Sequence, residues 1–482
     1  MSRPAYSART IALPARIVAL LALTSAACAS SGTPWKPPAT LDTGDVPAKV
    51  RPGFGNPELH TWWPLTAPEI DALKNLEPAK QGDAHALLAL GILASGAERD
   101  PAAYARIQQR VDQFLASMKP VMDAAADDWH RGYELHRAMH RTFFNARGEL
   151  EGYDIGQARL SAIFNGGRYN CLSSAMLFVV LARGFGLPVR AAMVPTHVFV
   201  EMGIPGGKVI EVETTSPTGF DWVHDERFYK EAAYKWSANR GLRPVTLEEY
   251  QHRTMLEPYQ LMAYAMRDGR IAASDEERYR LNEVSALVAP DNPEFQMWRV
   301  QSYDNEAHDL YEAKAWRTMA ALFDAVGPAV AEVGARSKDS HTLELVSWAR
   351  WHQANALMIT GRKAEAMPLM AEGLEHVDPS WKDAAALRGN YAALFNDVLC
   401  ELIANKDYAG AAKAYAEHRD ACRADQVCAS NVAVIYGNWS IDYSNAGDWP
   451  SARRVLQECV SELPNDSRCR DALADVESRH KF

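Results

Sequence analysis

A helical pattern followed directly by two strand patterns, between residues 170 and 214, constrains the fold more than any other segment. Asn170 is a favoured N-cap residue, and the chain after it predicts a helix that runs to Arg183. The apolar positions of this helix repeat at i, i+3, i+4 and i+7: Leu172, Ala175, Met176, Val179 and Ala182. Glycine and proline between residues 184 and 188 end the pattern. The first helical turn therefore contains Cys171.

Two strands are predicted after this helix. Residues 189–202 and 208–214 have strand character, and a turn rich in glycine separates them. Because side chains alternate between the two faces of a strand, Glu211 and Glu213 share the face of the second strand that is opposite its apolar residues. We expect that face to lie within reach of His197 in the first strand.

These three residue types suit cysteine chemistry. A thiol in the first turn of a helix meets unpaired backbone N–H groups and the positive end of the helix dipole, which favour the thiolate. His197 can take the thiol proton, and an acid at Glu213 or Glu211 can orient the imidazole and stabilise its charged form. The order of Cys171, His197 and an acid therefore predicts a cysteine acyl-transfer site.

Three stretches carry a family resemblance: residues 166–175, 181–189 and 195–200. They resemble the transglutaminase-like superfamily, a papain-like group, and the version of this domain that some bacterial proteins carry ahead of tetratricopeptide repeats. The resemblance spans Phe143 to Glu213 and implies an α+β papain/transglutaminase-like domain. By position it implies Cys171 as nucleophile, His197 as general base and acid, and Glu213 as the orienting acid.

Two positions depart from the family pattern. Glu213 stands where the family usually has aspartate, and Glu211 is an alternative for that role. Phe199 stands where a tryptophan is frequent, and no tryptophan occurs between residues 151 and 220. Transglutaminases that hold the oxyanion with a tryptophan therefore differ from this chain.

The oxyanion of an acyl intermediate needs hydrogen-bond donors near the nucleophile. The backbone N–H of Cys171 is the first donor that we expect. The second is open, with the side chains of Asn165 and Tyr169 as alternatives.

His136 and His140 stand four residues apart in a helical segment and would share one face, as two zinc ligands do. That face offers no third ligand, since Glu134 and His130 point elsewhere, whereas zinc takes at least three protein ligands. We expect packed or solvated histidines here, and neither a metal nor a cofactor in the protein.

The N-terminus has the order of a bacterial export signal. Three arginines precede an apolar run from Ile17 to Leu23, and Ala27-Cys28 follows. This order predicts a lipoprotein signal peptide over residues 1–27 and lipid attachment at Cys28 on the periplasmic face of a membrane. The alternative is ordinary cleavage after Ala27-Cys28-Ala29, which would release a soluble periplasmic or secreted protein. Membrane contact is expected through the lipid anchor only.

Charge and cysteine usage fit an exported protein. The net charge of −10 argues against a nucleic-acid partner, which calls for basic patches. Disulfides persist outside the cytoplasm, and short separations predict local pairs Cys422–Cys428 and Cys459–Cys469. No pair has CxxC spacing, so no zinc site is predicted among the cysteines.

Five segments follow from these patterns. A signal peptide covers residues 1–27, and a flexible tether rich in proline, glycine, serine and threonine covers 28–60. A helical N-terminal region covers 61–145, the transglutaminase-like domain 146–244, and an all-α array of helical hairpins 245–482. The chain as a whole is expected to be mostly α.

The hairpin array is indicated by loop signals spaced by roughly 40 to 48 residues. They fall at Pro290–Pro293, Ser337–Asp339, Asp378–Pro379, Ala424–Asp425 and Pro464–Asp466. The last unit, Asn431 to Asp471, resembles a tetratricopeptide repeat. Such arrays commonly bind a peptide or a protein.

The sequence therefore predicts an exported, lipid-anchored, transglutaminase-like cysteine protein that acts on amide or ester acyl groups by hydrolysis or transfer. Its helical repeats would bind a protein or peptide partner in the cell envelope. The alternative, from another functional class, is a non-catalytic scaffold or adaptor in the cell envelope that carries a vestigial transglutaminase-like domain.

Overall fold

The computed structural model describes residues 57–96, 100–144, 152–194, 197–222, 248, 251–268, 274–419, 422 and 426–479. Within these ranges the protein is mostly helical and contains one small antiparallel sheet, which confirms the expectation of a mostly α chain. The predicted signal peptide, Cys28 and the tether as far as residue 56 lie outside the described residues.

The chain divides into two compact units, with the boundary between Arg299 and Val300. The helices that belong to the first unit are α1 Ala67–Lys74, α2 Leu76–Lys80, α3 Ala84–Ala94, α4 Pro101–Ala124, α5 Asp128–Phe143, α6 Leu160–Gly166, α7 Cys171–Gly184, α8 Pro258–Asp268 and α9 Asp275–Val288. The boundary falls within α10, Pro293–Glu312. The later helices are α11 Trp316–Arg336, α12 Ser340–Ile359, α13 Lys363–Glu375, α14 Ala384–Ala404, α15 Tyr408–Glu417, α16 Gln426–Asn445, α17 Trp449–Glu462 and α18 Ser467–Arg479.

The sheet lies in the first unit and has four antiparallel strands. Their bounds are β1 Val189–Val194, β2 His197–Ile204, β3 Lys208–Val212 and β4 Thr254–Leu256, in the spatial order β3-β2-β1-β4. Val200 of β2 pairs with Val212 of β3, which brings the chain after Val212 alongside the beginning of β2. This register carries Glu213 toward His197.

The single strand predicted over residues 189–202 is wrong, because the structure has two strands there. Val194 pairs with His197, so the chain reverses between β1 and β2. Pro195 stands at that reversal in the sequence, and proline favours turns over the interior of a sheet.

Helix α7 is the centre of the core of the first unit. Its buried residues run without a break from Cys171 to Ala182, so this helix is enclosed on all sides. It packs against α3, α5, α6 and α8 and against strands β1 and β2. A helix enclosed in this way holds its N-terminal residue in a fixed position beside the sheet.

Two helices beyond residue 245, the start of the predicted repeat region, pack within the first unit. The buried residues Leu261, Met262 and Met266 of α8 join the same core as α7. In α9, Glu283 accepts hydrogen bonds from the backbone N–H groups of Trp62, at 2.7 Å, and Trp63, at 3.3 Å. The beginning of the predicted helical N-terminal region is thus tied into this unit.

The second unit consists of consecutive packed helices. Turns at Gly361, Lys406 and Gly447 separate α12 from α13, α14 from α15, and α16 from α17. Gly361 and Gly447 have φ values of 87° and 76°, which favour glycine after a helix. The glycines at these two positions therefore favour the ends of the helices that precede them.

Among the described residues of this unit, one helix is long and apolar enough to cross a membrane, by length and composition alone. Trp316–Arg336 has a mean hydropathy of 1.2 over its best window, and 61% of that window is buried inside the protein. Its buried residues include Leu322, Phe323, Val326 and Val330.

Candidate active site

Cys171 is the first residue of α7, and Asn170 caps the helix. The Asn170 Oδ1 atom accepts hydrogen bonds from the N–H groups of Leu172 and Ser173, both at 3.0 Å. The Ser173 hydroxyl accepts in return from the Asn170 N–H at 3.0 Å. This reciprocal capping box fixes the first turn, in which the positive end of the helix dipole favours a negative charge.

Substitution Asn170→Ala is expected to destabilise the protein by about 1–2 kcal/mol, because it removes the cap and the hydrogen bond from Nδ2 to the Ile155 carbonyl. Urea denaturation measures the change. The matched control is Asn165→Ala, since Asn165 is exposed. Equal stability of the two variants would contradict the capping role.

His197 and Glu213 form a short, buried pair. The His197 Nε2–H donates to Oε2 of Glu213 at 2.6 Å. The other carboxylate oxygen, Oε1, accepts from the N–H of Thr215 at 3.1 Å and from its hydroxyl at 2.6 Å. Both oxygens of Glu213 are thus held, and one of them orients the imidazole ring.

Glu211 belongs to a different set of contacts. It pairs across the strands with Glu201, and Arg253 Nη2 lies 3.3 Å from Glu211 and 2.6 Å from Glu201. Arg190 also binds Glu201, at 3.0 Å. Glu213 rather than Glu211 is therefore the acid that contacts His197.

Electrostatics couple Cys171 to this pair. Burial raises the pKa of the Cys171 thiol, but the hydrogen bond and positive charge of His197, together with a backbone hydrogen bond from Val198, bring the net pKa below its ordinary value. Burial lowers the pKa of His197, whereas the charge of Glu213 and the contact with Cys171 raise it well above its ordinary value. Opposite shifts on adjacent groups favour a thiolate–imidazolium pair at neutral pH.

The members of this site differ in access to solvent. Cys171 is 3% exposed, and the side chains of His197 and Glu213 are 15% and 6% exposed. The imidazole is therefore the most accessible group of the three.

Residues next to the acid hold it in place. The Ser174 hydroxyl on α7 lies 2.8 Å from the Thr214 hydroxyl and links the helix to the segment after Glu213. The Gly219 carbonyl accepts from the Glu213 N–H at 2.8 Å, and a side chain at Gly219 would collide with the Glu213 carbonyl oxygen. In the sequence, the threonine pair directly after Glu213 is the feature that indicates hydrogen bonds around this acid.

The two alternatives for the second oxyanion donor occupy different surroundings. The Tyr169 hydroxyl donates to the Thr215 carbonyl at 3.1 Å, and the ring stacks on Phe144 with centroids 4.0 Å apart. Burial and then the charge of Glu213 raise the pKa of Tyr169 to about 12. Tyr169 thus braces the acid segment, whereas Asn165 is exposed near the end of α6.

His136 and His140 lie inside the protein, with ring centroids 4.7 Å apart. Burial lowers the pKa of His136 to about 4 and, with a contribution from His136, that of His140 to about 3. Both are therefore neutral at pH 7. In the part of the chain that the structure describes, no group of three or more His, Cys, Asp or Glu residues could hold a metal ion.

The remaining cysteines named from sequence lie in the second unit. Cys422 is joined to Cys428, and Cys459 to Cys469, with Cα–Cα distances of 5.2 and 5.7 Å. The second bond links α17 to α18. The thiol of Cys171 is free, as a nucleophile requires.

Comparison of the chain with protein-family models, curated proteins and solved structures yields no match. The chemistry of the site therefore rests on its own geometry.

Proposed function

We propose that this protein is a transglutaminase-like cysteine enzyme of the cell envelope that hydrolyses or transfers amide or ester acyl groups. The observation that carries the proposal is the 2.6 Å contact between His197 and Glu213 beside a capped helix that begins at Cys171. A nucleophile, a base and an orienting acid in this order are the minimum set for cysteine acyl transfer.

The mechanism uses the three side chains in turn. The Cys171 thiolate attacks the acyl carbon and forms a C–S bond, while the carbonyl oxygen gains the negative charge and the Cys171 N–H donates to it. The His197 imidazolium then gives its proton to the leaving amine or alcohol as the bond to the acyl carbon breaks. Water or an amine, deprotonated by His197, attacks the thioester and releases the thiolate. Glu213 keeps the imidazole oriented throughout.

The fold supports the papain/transglutaminase-like assignment. Cys171 begins a buried helix, and the antiparallel strand β2 begins at His197, while Glu213 directly follows β3. This is the arrangement that the sequence resemblance implies.

A tetratricopeptide-like array is proposed for the second unit, where consecutive helices pack and the turns at Gly361 and Gly447 carry glycine. We propose that it binds a protein or peptide partner. Export and a lipid at Cys28 are supported by the N-terminal sequence, and disulfides Cys422–Cys428 and Cys459–Cys469 suit an oxidising compartment.

An activated ester tests the acyl chemistry without knowledge of the substrate. Incubation with p-nitrophenyl acetate is expected to release one equivalent of p-nitrophenol in a fast burst and to acetylate the Cys171 peptide, detected by mass spectrometry. Transfer is indicated if added amines shorten the lifetime of the acyl-enzyme and are recovered as acetylated products. Hydrolysis is indicated if turnover does not depend on the amine.

The matched control is Cys171→Ser, which keeps the size of the side chain and the hydrogen-bonding capacity. It should show no burst, while its thermal unfolding matches that of wild type. A burst of equal size in Cys171→Ser, or acetylation at other residues only, would overturn the proposed enzyme.

A non-catalytic scaffold is the second candidate, favoured by one observation: Cys171 is only 3% exposed. Under this alternative the cysteine is a small buried apolar residue and the helical unit carries the function. Native protein would then show neither a burst nor labelling of Cys171.

A further inference from the structure

The second unit contains a buried carboxyl group that lacks a strong cationic partner. Asp304 on α10 is 6% exposed, and its Oδ1 atom has no hydrogen-bond partner. This oxygen lies 3.7 Å from Nε2 of His352 on α12, which is longer than a hydrogen bond. A buried carboxylate is unfavourable unless it is paired and hydrogen-bonded.

The titratable groups around Asp304 do not neutralise it. Burial, and then the charge of Glu344, raise the pKa of Asp304 to about 7. Burial, and then His308, lower the pKa of His352 to about 3, so this ring is neutral at pH 7. Among the described residues, no lysine or arginine forms an ion pair with Asp304.

Aromatic rings surround His352, the contact residue of Asp304. Tyr311 lies 5.3 Å from Trp351 and 5.8 Å from His352, centroid to centroid, and Trp351 lies 4.8 Å from His352. Trp348 packs on Trp351 at 5.8 Å. Asp304 and Tyr311 are seven positions apart on α10, which is helical spacing for one face. We name Asp304, Tyr311, Trp348, Trp351 and His352 the Asp304 cluster.

The Asp304 cluster has further unused polar atoms. Nε1 of Trp351 and Nδ1 of His352 are both buried without a hydrogen-bond partner. Buried polar atoms are ordinarily hydrogen-bonded, so Oδ1 of Asp304 and Nδ1 of His352, which accepts when the other ring nitrogen carries the proton, can each take an N–H donor from a bound group.

We propose that the Asp304 cluster binds an alkylammonium group, from the lysine side chain of a protein partner or from a free small amine. An ammonium ion brings the positive charge that the carboxylate lacks and N–H donors for Oδ1. Trp351 and Tyr311, which contact His352, are residues of the kind whose ring faces attract a cation. A quaternary ammonium has the charge but no N–H, so it satisfies the cluster less well.

Methylammonium is the simplest probe. Titrated into the full chain at constant ionic strength, with sodium chloride as the control salt, it is expected to change tryptophan fluorescence saturably. Tetramethylammonium is expected to bind more weakly because it cannot donate to Oδ1. At pH 7 binding should release protons, since the bound cation stabilises the ionised form of Asp304; calorimetry in buffers of different ionisation enthalpy measures this release.

Asp304→Asn is the test variant, and Asp309→Asn, at an exposed position on the same helix, is its matched control. Loss of the charged partner should weaken methylammonium binding by about 10- to 100-fold in Asp304→Asn and leave it unchanged in Asp309→Asn. Without ligand, Asp304→Asn should unfold at the same or a higher temperature, because it removes an uncompensated buried charge.

Two peptides that differ only in lysine acetylation distinguish the source of the amine. If the peptide with free lysine binds more tightly than methylammonium, the natural ligand is a lysine of a protein partner. If the two bind equally, it is a small amine. The acetylated peptide should not bind in either case. Absence of saturable methylammonium binding in wild type would overturn the proposal, as would equal binding by wild type and Asp304→Asn. Methylammonium binding does not involve Cys171, so its presence or absence is a separate result from the presence or absence of acyl chemistry.

Discussion

Replacement of His197 by alanine is expected to slow alkylation of Cys171 at pH 6 by on the order of 10- to 100-fold. Burial alone raises the pKa of this thiol, and the hydrogen bond and charge of His197, with a smaller contribution from the Val198 backbone, bring it below its ordinary value. Without His197 the thiol should titrate near or above pH ~8.5, which leaves roughly 0.3% thiolate at pH 6. The higher intrinsic nucleophilicity of a more basic thiolate offsets part of the loss. Iodoacetamide labelling followed by mass spectrometry of the Cys171 peptide measures the rate.

The matched control is His85→Ala, because the His85 side chain is 53% exposed and pairs with Asp112 at the surface. This variant should label at the wild-type rate. If His197→Ala labels as fast as His85→Ala, the imidazole does not activate the thiol.

Glu213→Gln is expected to slow acylation by p-nitrophenyl acetate by about 100-fold. The carboxylate accepts from His197 through one oxygen and from Thr215 through the other, whereas a glutamine offers only one oxygen. One of these contacts is therefore lost, and the charge that stabilises the imidazolium is removed. Since that charge raises the pKa of His197, its removal should lower this pKa, so that the imidazolium loses its proton at a lower pH. The alkaline limb of the acylation profile should shift in the same direction.

Glu211→Gln is the control, because it changes the same residue type two positions away. Glu211 contacts Arg253 rather than His197, so the acylation rate and its alkaline limb should stay at wild-type values. A larger effect from Glu211→Gln than from Glu213→Gln would contradict the assignment of the acid. Thermal unfolding of both variants separates catalytic from structural loss.

Local signals in the sequence predict the helices well. The cap at Asn170 and the glycines after Arg183 predict a helix that the structure has over Cys171–Gly184. Local signals do not predict features that depend on contacts between distant parts of the chain. The reversal between Val194 and His197 interrupts an otherwise continuous strand pattern, and α8 joins the first unit because Leu261 and Met266 complete the core around α7.

The choice between two acids shows the same limit at the site. Alternation along a strand puts Glu211 and Glu213 on one face, so sequence alone leaves both open. The structure separates them because β3 ends at Val212, and the chain then turns through Thr215. Glu211 remains within the strand, opposite Glu201 and beside Arg253.

Contacts between buried polar residues that are far apart in the sequence cannot be predicted from local sequence patterns. Asp304 and His352 each occupy an ordinary helical position, and only the packing of α10 against α12 brings them together. Tyr169, proposed from sequence as an oxyanion donor, turns its hydroxyl to the Thr215 carbonyl for the same reason. Such contacts depend on the fold as a whole.

The pH dependence of Cys171 alkylation in the native protein tests the central claim most directly. A thiolate held by His197 and by the start of α7 predicts labelling that is already fast at pH 6 and a midpoint well below pH ~8.5. A single titration near pH ~8.5, or labelling of Cys171 only after denaturation, would contradict an activated nucleophile.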